Sequence, residues 1–415
     1  MGTNRTFSDM LNEYLPNSLL SEEIIKMDYV LQRVNKDNNW KGGNITVPFK
    51  GPSATSVKFG GLTGSSDVDE MEAVRGSISA YKEVWGTMKF HHADIMQHNK
   101  VSEQGFLNVL PDTIEDFNQH MSEVVSFHMT TGGSFAAVSD ASNAASGIMI
   151  VDRIERFKRG MKVLLDDDDT TAANYYVTAV NLNTDAITLS ATRGGSAADV
   201  SAFTVAQNAK FYHDGITSAG GGFTSLKKAL LSSTNGGDAN IHGKSKVLYP
   251  FLQAINVSGA AVTASNIVEK IFDAYTTIRR KARGNANEVL MSYKNFGSCM
   301  KVIELQKGSF KSASSSSADE YGWITIEITV VATQKKLKFI GIQELDDDVI
   351  MFMDWKGSTF RTNGYFQKRK DPDTGKEYFT ERATTGYSYL VDICLFGELE
   401  VRNPGQCGIM YSISY

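Results

Sequence analysis

Few residue groups in this chain have the types and spacing that chemistry would need. Gly243-Lys244-Ser245 ends like a phosphate-binding loop, whose backbone N–H groups and lysine cradle the phosphates of a nucleotide. The first glycine of that pattern would fall at Asp238, no strand-like run precedes it and Pro250 follows closely, so the segment reads as a turn. Asp166 to Asp169 and Asp346 to Asp348 could hold a hard cation through carboxylate oxygens, but each lies between strand-like runs, where acidic clusters serve as solvated turns. The run Asp371-Pro372-Asp373-Thr374-Gly375 approximates a calcium loop, with Gly375 one residue early and Glu381 two early, and is read as a hairpin turn. His91, His92 and His98 lack cysteine or acidic partners at ligand spacing, and neighbours on a strand point to opposite faces. Cys299, Cys394 and Cys407 sit in or beside apolar runs without a basic partner, and no G-x-S-x-G elbow exists. Arg279, Arg280, Lys281 and Arg283 could meet DNA phosphates, yet a helix C-terminus draws cations in the same way. The expectation is no catalytic constellation, no cofactor and no metal.

Composition narrows the classes further. The chain has 415 residues, 41% hydrophobic and 21% charged, enough for two or three domains with cores of their own. A net charge of −5 argues against a protein whose main task is neutralising phosphates. Three scattered cysteines fit a reducing compartment, and no run approaches the ~18 apolar residues of a membrane span.

The elements that would position any site are more legible. Leu107, Leu110, Ile114, Phe117, Met121, Val124 and His128 recur at three- and four-residue steps, predicting one amphipathic rod from Leu107 to Thr131, ~30 Å long. Pro111 suits its first turn and Gly132-Gly133 its end. Before the rod, Ser21 can cap a short helix carrying Ile24, Met27, Leu31 and Val34, read as a mobile arm. Residues 40–92 read as a long β-hairpin-like excursion around the Gly/Ser/Asp-rich tip GSSDVDEME. The apolar side of its return run, Ser77 to Phe90, would need another subunit to cover it. After the rod, SFAAVSDASNAASG reads as a small-residue linker into five short strands between Ile148 and Asp214, a small barrel inserted into a host domain. The host resumes with Ser265 capping a helix on Ile267, Ile271, Phe272, Tyr275 and Ile278. The strand EVLMS then runs into a helix from Tyr293, and a serine-rich loop leads to three strands with antiparallel pairing as the default. Tyr387 to Val401 keeps a two-residue period for about 15 residues, a strand of ~50 Å to lie along the rod. A long strand beside a long helix predicts a flat unit that buries its edges against copies of itself.

This ordered set, closing with YSYLVDICLFGELEVRNPGQCGIMYSI, resembles the major capsid proteins of tailed bacteriophages, the Hong Kong 97 type. WGTMKFHHADIM, EVLMSYKNF and ITIEITVVATQKKLKFIGIQELDDDVIMFMDW add to the likeness, which spans nearly the whole chain. The resemblance implies an α+β fold with an all-β insertion. Residues 1–39 would be the N-terminal arm, 40–92 the extended loop, 93–147 with 356–386 the peripheral domain and spine helix, 148–214 the inserted barrel, 215–355 the axial domain and 387–415 a long C-terminal strand. It further implies hexamers and pentamers in an icosahedral shell of a virion, assembled in the host cytoplasm around double-stranded DNA bound without sequence preference and away from any membrane. Since little precedes the arm helix, a separate scaffolding protein, or earlier removal of a fused one, is implied, and the resemblance adds a portal and a decoration protein as partners. Trp40, Phe49, Phe59 and Trp85, thinly supported by local apolar neighbours, are the expected intersubunit contacts. Two other readings stay open: an encapsulin-like compartment around protein cargo, and a metal-dependent β-rich enzyme or glycan-binding module using the acidic turns or the barrel.

Overall fold

The computed structural model describes residues 24–26, 28–40, 43–49, 74–91, 103–167, 172–205, 208–217, 221–282, 285–305, 325–330, 335–364, 366–368, 381–382 and 388–415, with the backbone alone at 90–91, 103–113, 282, 304–305, 325–330, 335, 381–382 and 388–389. They divide into two compact units: Gly132–Phe223, and the chain on either side of it. Phe59, His92, His98, Asp168, Asp169, Arg283, the Ser312–Ser317 loop and the 371–375 turn lie outside the described residues.

The larger unit opens with helix α1 (Tyr29–Arg33), capped by Asp28, whose carboxylate accepts the Leu31 N–H at 2.6 Å. Strand β1 (Asn35–Asp37) follows, then β2 (Ile45–Pro48), β3 (Arg75–Ile78) and β4 (Lys82–His91). The arm is not loose where it is described. Ile24, Tyr29, Val30, Leu31 and Val34 are buried, and β1 adds in parallel to strand β18 (Ser358–Thr362). Its apolar residues at helical spacing have found a surface within their own chain.

One carboxylate holds much of that attachment. Glu288 is buried and accepts the Tyr29 hydroxyl at 2.7 Å and the Trp355 indole N–H at 2.5 Å, and the Arg33 guanidinium pairs with it. Truncating a buried acceptor leaves its donors desolvated. Glu288→Ala should therefore cost about 2–4 kcal/mol in urea denaturation. It should also expose residues 24–37 to proteolysis ahead of global unfolding; protection equal to wild type would refute the clamp.

Helix α2 spans Glu103–Thr130, longer at its start than the periodicity suggests, so Pro111 lies inside the helix and forfeits one backbone bond. Twenty-eight residues make ~42 Å. Gly132 and Gly133 take positive φ and end it as expected. A single apolar stripe does not describe its C-terminal part: Val125 to Thr131 are all buried, Ser126, His128 and Thr130 included. Burial pushes the His128 imidazole down to about 4.

In the smaller unit a closed barrel is formed by β5 (Ala136–Asp140), β6 (Ile148–Val151), β7 (Lys162–Asp166), β8 (Ala173–Asn181), β9 (Ala186–Ser190) and β10 (Lys210–His213), in the order β10-β5-β6-β9-β8-β7. The stretch read as a linker supplies β5, which lies between β6 and β10 and closes the ring. Ala-Ala-Val-Ser-Asp has weak strand propensity of its own, so pairing on both edges, not composition, makes it a strand.

Back in the larger unit come α3 (Leu226–Leu230), the small hairpin β11 (Asn240–Ile241) and β12 (Lys244–Ser245), β13 (Ile255–Ser258), α4 (Ile267–Ala282), β14 (Glu288–Ser292), α5 (Tyr293–Leu305), β15 (Thr325–Val330), β16 (Lys335–Ile342) and β17 (Ile350–Met353). After β18 the chain adds β19 (Gln367–Lys368), β20 (Glu381–Arg382), β21 (Ser388–Val401) and β22 (Gly408–Tyr411). Helix α4 starts two residues past Ser265, and the residue before it is Asn266, whose carbonyl accepts the Lys270 N–H. The sheet β13-β22-β17-β14-β16-β15 is mixed, not antiparallel throughout: β14 runs parallel to β16 and β13 parallel to β22. Every residue of β14 is buried, which is why its sequence shows no alternation. Ile267, Ile271, Tyr275 and Ile278 of α4 join Val289, Phe339, Phe352 and Met410 in its core.

The C-terminal stretch is two strands, not one. Asn403 and Pro404 break it into a 3₁₀ turn, since proline cannot donate to a ladder, and β22 crosses into the mixed sheet. The first of these, β21, keeps its length of 14 residues. One edge of this ribbon pairs with β4 from Ser388↔His91 to Gly397↔Lys82, and the other takes β18, β19 and β20 in turn. The return run from Ser77 to Phe90 thus pairs within its own chain, Ser77 and Ile78 with β2 and Lys82 onward with the ribbon. Gly86 lies opposite Ile393, and a Cβ there would stand 2.6 Å from the Met121 Sδ and Phe117 Cζ of α2. Glycine at that position lets the rod lie directly on the sheet.

Candidate assembly surface

The stretches suggestive of chemistry resolve into structural parts. Gly243 takes φ 76 in the β11–β12 turn, the geometry of a tight hairpin and not of a strand-to-helix phosphate cradle. The lysine put to use is Lys246, buried with its ammonium donating to the Lys228 and Leu231 carbonyls, both at 2.9 Å, at the end of α3. Burial pushes it down to about 8. Asp346 and Asp348 hold the Lys227 ammonium at 2.8 and 3.1 Å. Burial works against that ammonium, and the two carboxylates outweigh it, raising its pKa. Arg279, Arg280 and Lys281 occupy the last turn of α4, with Arg279 donating to the Asn285 side chain at 3.3 Å. All three cysteines are buried thiols, and burial pushes Cys299 and Cys407 up to about 12. No grouping of three or more His, Cys, Asp or Glu among the described residues could hold a metal, and no described helix is long and apolar enough to cross a membrane.

The face of the ribbon sheet opposite α2 carries the remaining candidates. Side chains alternate along β4 and β21, so Gly86 and Ile393 face the rod while Trp85, Cys394 and Phe396 face away. Four aromatic rings chain across this side. Trp40 meets Tyr81 edge-on at 5.6 Å, Tyr81 meets Phe396 at 5.4 Å, and Phe396 meets Trp85 at 5.6 Å. Trp40 is buried, its indole N–H donating to the Gly43 carbonyl at 2.6 Å. Phe49 is buried against the His242 ring. Both are covered by their own chain, so their thin local sequence support is made good by residues distant in sequence. Trp85 ends the row 45% exposed, with its N–H on Glu83 at 3.1 Å. Nothing local in the sequence joins Tyr81 and Phe396, which lie more than 300 residues apart.

Beside the aromatic row lies a charged one. Glu400 has no exposed side-chain surface and pairs with Arg361 at 2.5 Å and with Arg402, while Arg361 also pairs with Asp37 of β1. Two residues earlier, buried Glu398 accepts the Thr224 N–H at 2.6 Å and the Leu399 N–H at 3.0 Å. Burial pushes its carboxyl up to about 7 against those bonds. The folded state therefore holds the proton more tightly than the unfolded chain. Stability from this group is fully present below the ordinary glutamate pKa and is lost as pH rises toward 7. Glu398→Gln keeps an acceptor for Thr224 without the charge. It should raise stability at pH 8 by on the order of 2 kcal/mol and flatten the profile between about 4.5 and 7. Denaturation midpoints at pH 5 and 8 check this, and an unchanged pH slope would contradict it.

Comparison with known proteins gives structural likeness only. No family model and no curated protein matches the chain. The structure is similar to solved capsid and encapsulin structures. The capsid of cyanophage A-1(L) is 11% identical, covering 92% of this chain and 91% of its own with a TM-score of 0.43. The capsid of a native GTA particle is 10% identical, covering 100% and 93% with a TM-score of 0.45. An encapsulin complex from Synechococcus elongatus is 8% identical, covering 100% and 92% with a TM-score of 0.41.

Proposed function

We propose that this chain is a structural shell protein, the major capsid protein of a tailed bacteriophage with the Hong Kong 97 type of fold. The observation that carries the reading is the long α2 rod seated at Gly86 on a sheet organised by the 14-residue ribbon, preceded by the arm and the β2–β3 hairpin. That set of elements provides a large covered core, and among the described residues no group of His, Cys, Asp or Glu could hold a metal. In this proposal the arm, the extended loop, the peripheral and axial parts and the barrel keep the boundaries the sequence suggests, with β5 added to the barrel. Copies form hexamers and pentamers of an icosahedral shell in the virion, built in the host cytoplasm with a separate scaffold and a portal, and with a decoration protein outside. The net charge of −5 leaves packaged double-stranded DNA mobile against the wall, since few phosphates would be neutralised. Affinity comes from many moderate contacts repeated by symmetry, with Trp85 as one of them. Phe59 is kept as a contact of the extended loop.

Light scattering of the purified protein across a concentration series, with and without a co-expressed scaffold, tests the reading. Megadalton species that sediment as a discrete class are expected. A mass of one chain at the highest concentration under both conditions would overturn it.

A further inference from the structure

His242 stands where three distant segments meet. It occupies the β11–β12 turn at φ 46, in the left-handed region that few non-glycine residues adopt. Its carbonyl accepts the Ser77 N–H of β3 at 3.0 Å, and its Nε2 accepts the Val401 N–H at the end of the ribbon, also at 3.0 Å. Its ring stacks on Phe49, which follows β2, with centroids 6.2 Å apart and planes 20° apart. The fit is tight from below as well. A Cβ on Gly76, the β3 neighbour of Ser77, would stand 2.7 Å from the His242 carbonyl oxygen and 2.6 Å from the Phe49 ring. One residue thus joins both strands of the hairpin to the ribbon.

Accepting at Nε2 requires that nitrogen to be bare, so the imidazole must be neutral with its proton on Nδ1. Protonation would turn the acceptor into a second donor facing the Val401 N–H, leaving both without a partner in a half-buried site. We propose that His242 is the latch fixing the β2–β3 hairpin against the ribbon, and that protonating its ring releases the hairpin. The charged groups around it agree. Glu400 on the ribbon favours the imidazolium, but its carboxylate is already engaged by Arg361 and Arg402. Arg75 adjoins Gly76 on β3, and Lys244 begins β12 just after the turn that holds His242. Burial dominates and pushes the ring down to about 4. Because the folded pKa lies below the unfolded one, the attachment is complete above about 6.5 and weakens as pH falls toward 4.

The consequence for assembly rests on the proposed function, because the hairpin is then the element that reaches a neighbouring copy. The latch itself does not, and it is tested on unassembled subunits. Hydrogen exchange of the full-length chain, corrected for the intrinsic pH dependence of exchange, should show peptides containing Ser77 and Val401 losing protection at least tenfold between pH 7 and pH 4, with β14 unchanged. H242N tolerates the left-handed backbone and offers an amide oxygen that does not titrate, so its protection at the two sites should be independent of pH. The same acid-dependent loss in H242N, or none in wild type, overturns the proposal. Histidine ¹⁵N spectra of wild type at pH 7 give a second reading that needs no variant. A bare Nε2 supports the latch, and a protonated Nε2 refutes it. Failure to form shells with the latch intact would count against the proposed function alone.

Discussion

Arg361→Leu is expected to lower stability by about 3–5 kcal/mol, the range for breaking a buried ion pair by removing one partner. The residue holds Glu400, whose side chain has no exposed surface, and reaches Asp37 of β1 from the same guanidinium. Leucine fills much of the volume and returns none of the charge, so Glu400 keeps Arg402 but not Arg361, and the arm loses the Asp37 ion pair that supplements its backbone pairing with β18. Urea denaturation should show a lower midpoint with an unchanged slope. Arg402→Leu is the control. That side chain is 34% exposed against 17% for Arg361 and, among the described residues, pairs with Glu400 alone, so its loss should cost less than half as much. Equal effects would show that the bridge between β1 and β21 contributes nothing.

Trp85→Asp is expected to leave the subunit folded and to reduce shell yield more than tenfold. The ring is 45% exposed, its edge contact with Phe396 is worth about 1 kcal/mol, and the Glu83 contact lies at the surface. Little of the subunit's stability depends on it. In an assembled shell the same site would bury a carboxylate against an apolar neighbour, once per copy. Shells at wild-type yield would remove Trp85 from the contact; a subunit that no longer folds would mean the residue belongs to the core.

Elements with strong periodicity are legible in the sequence. The spacing of apolar residues marks the rod and the ribbon and the EVLMS run marks the strand-to-helix turn, although β14 and the last turns of α2 are buried on all sides and follow no single stripe. What could not be read depends on pairing at long range. Strand β5 has small, polar residues and exists because β6 and β10 flank it. The run from Ser77 to Phe90 looks unpartnered until the ribbon, some 300 residues later, lies beside it. Trp40 and Phe49 seem isolated for the same reason, since Tyr81 and His242 cover them from other segments. The break at Pro404 was visible in the sequence, but the even spacing on either side of it masked the change of sheet. The charged row of Asp37, Arg361, Glu400 and Arg402 left no local signal, because charges interleaved with apolar residues on a strand look like an ordinary solvated face.

Negative-stain micrographs of the purified protein, expressed with and without its scaffold, bear most directly on whether copies tile. Closed, thin-walled shells of uniform diameter, or capsomer rings where the scaffold is absent, are the predicted result. Fields of isolated particles the size of a single 45.5 kDa chain in both preparations would contradict it.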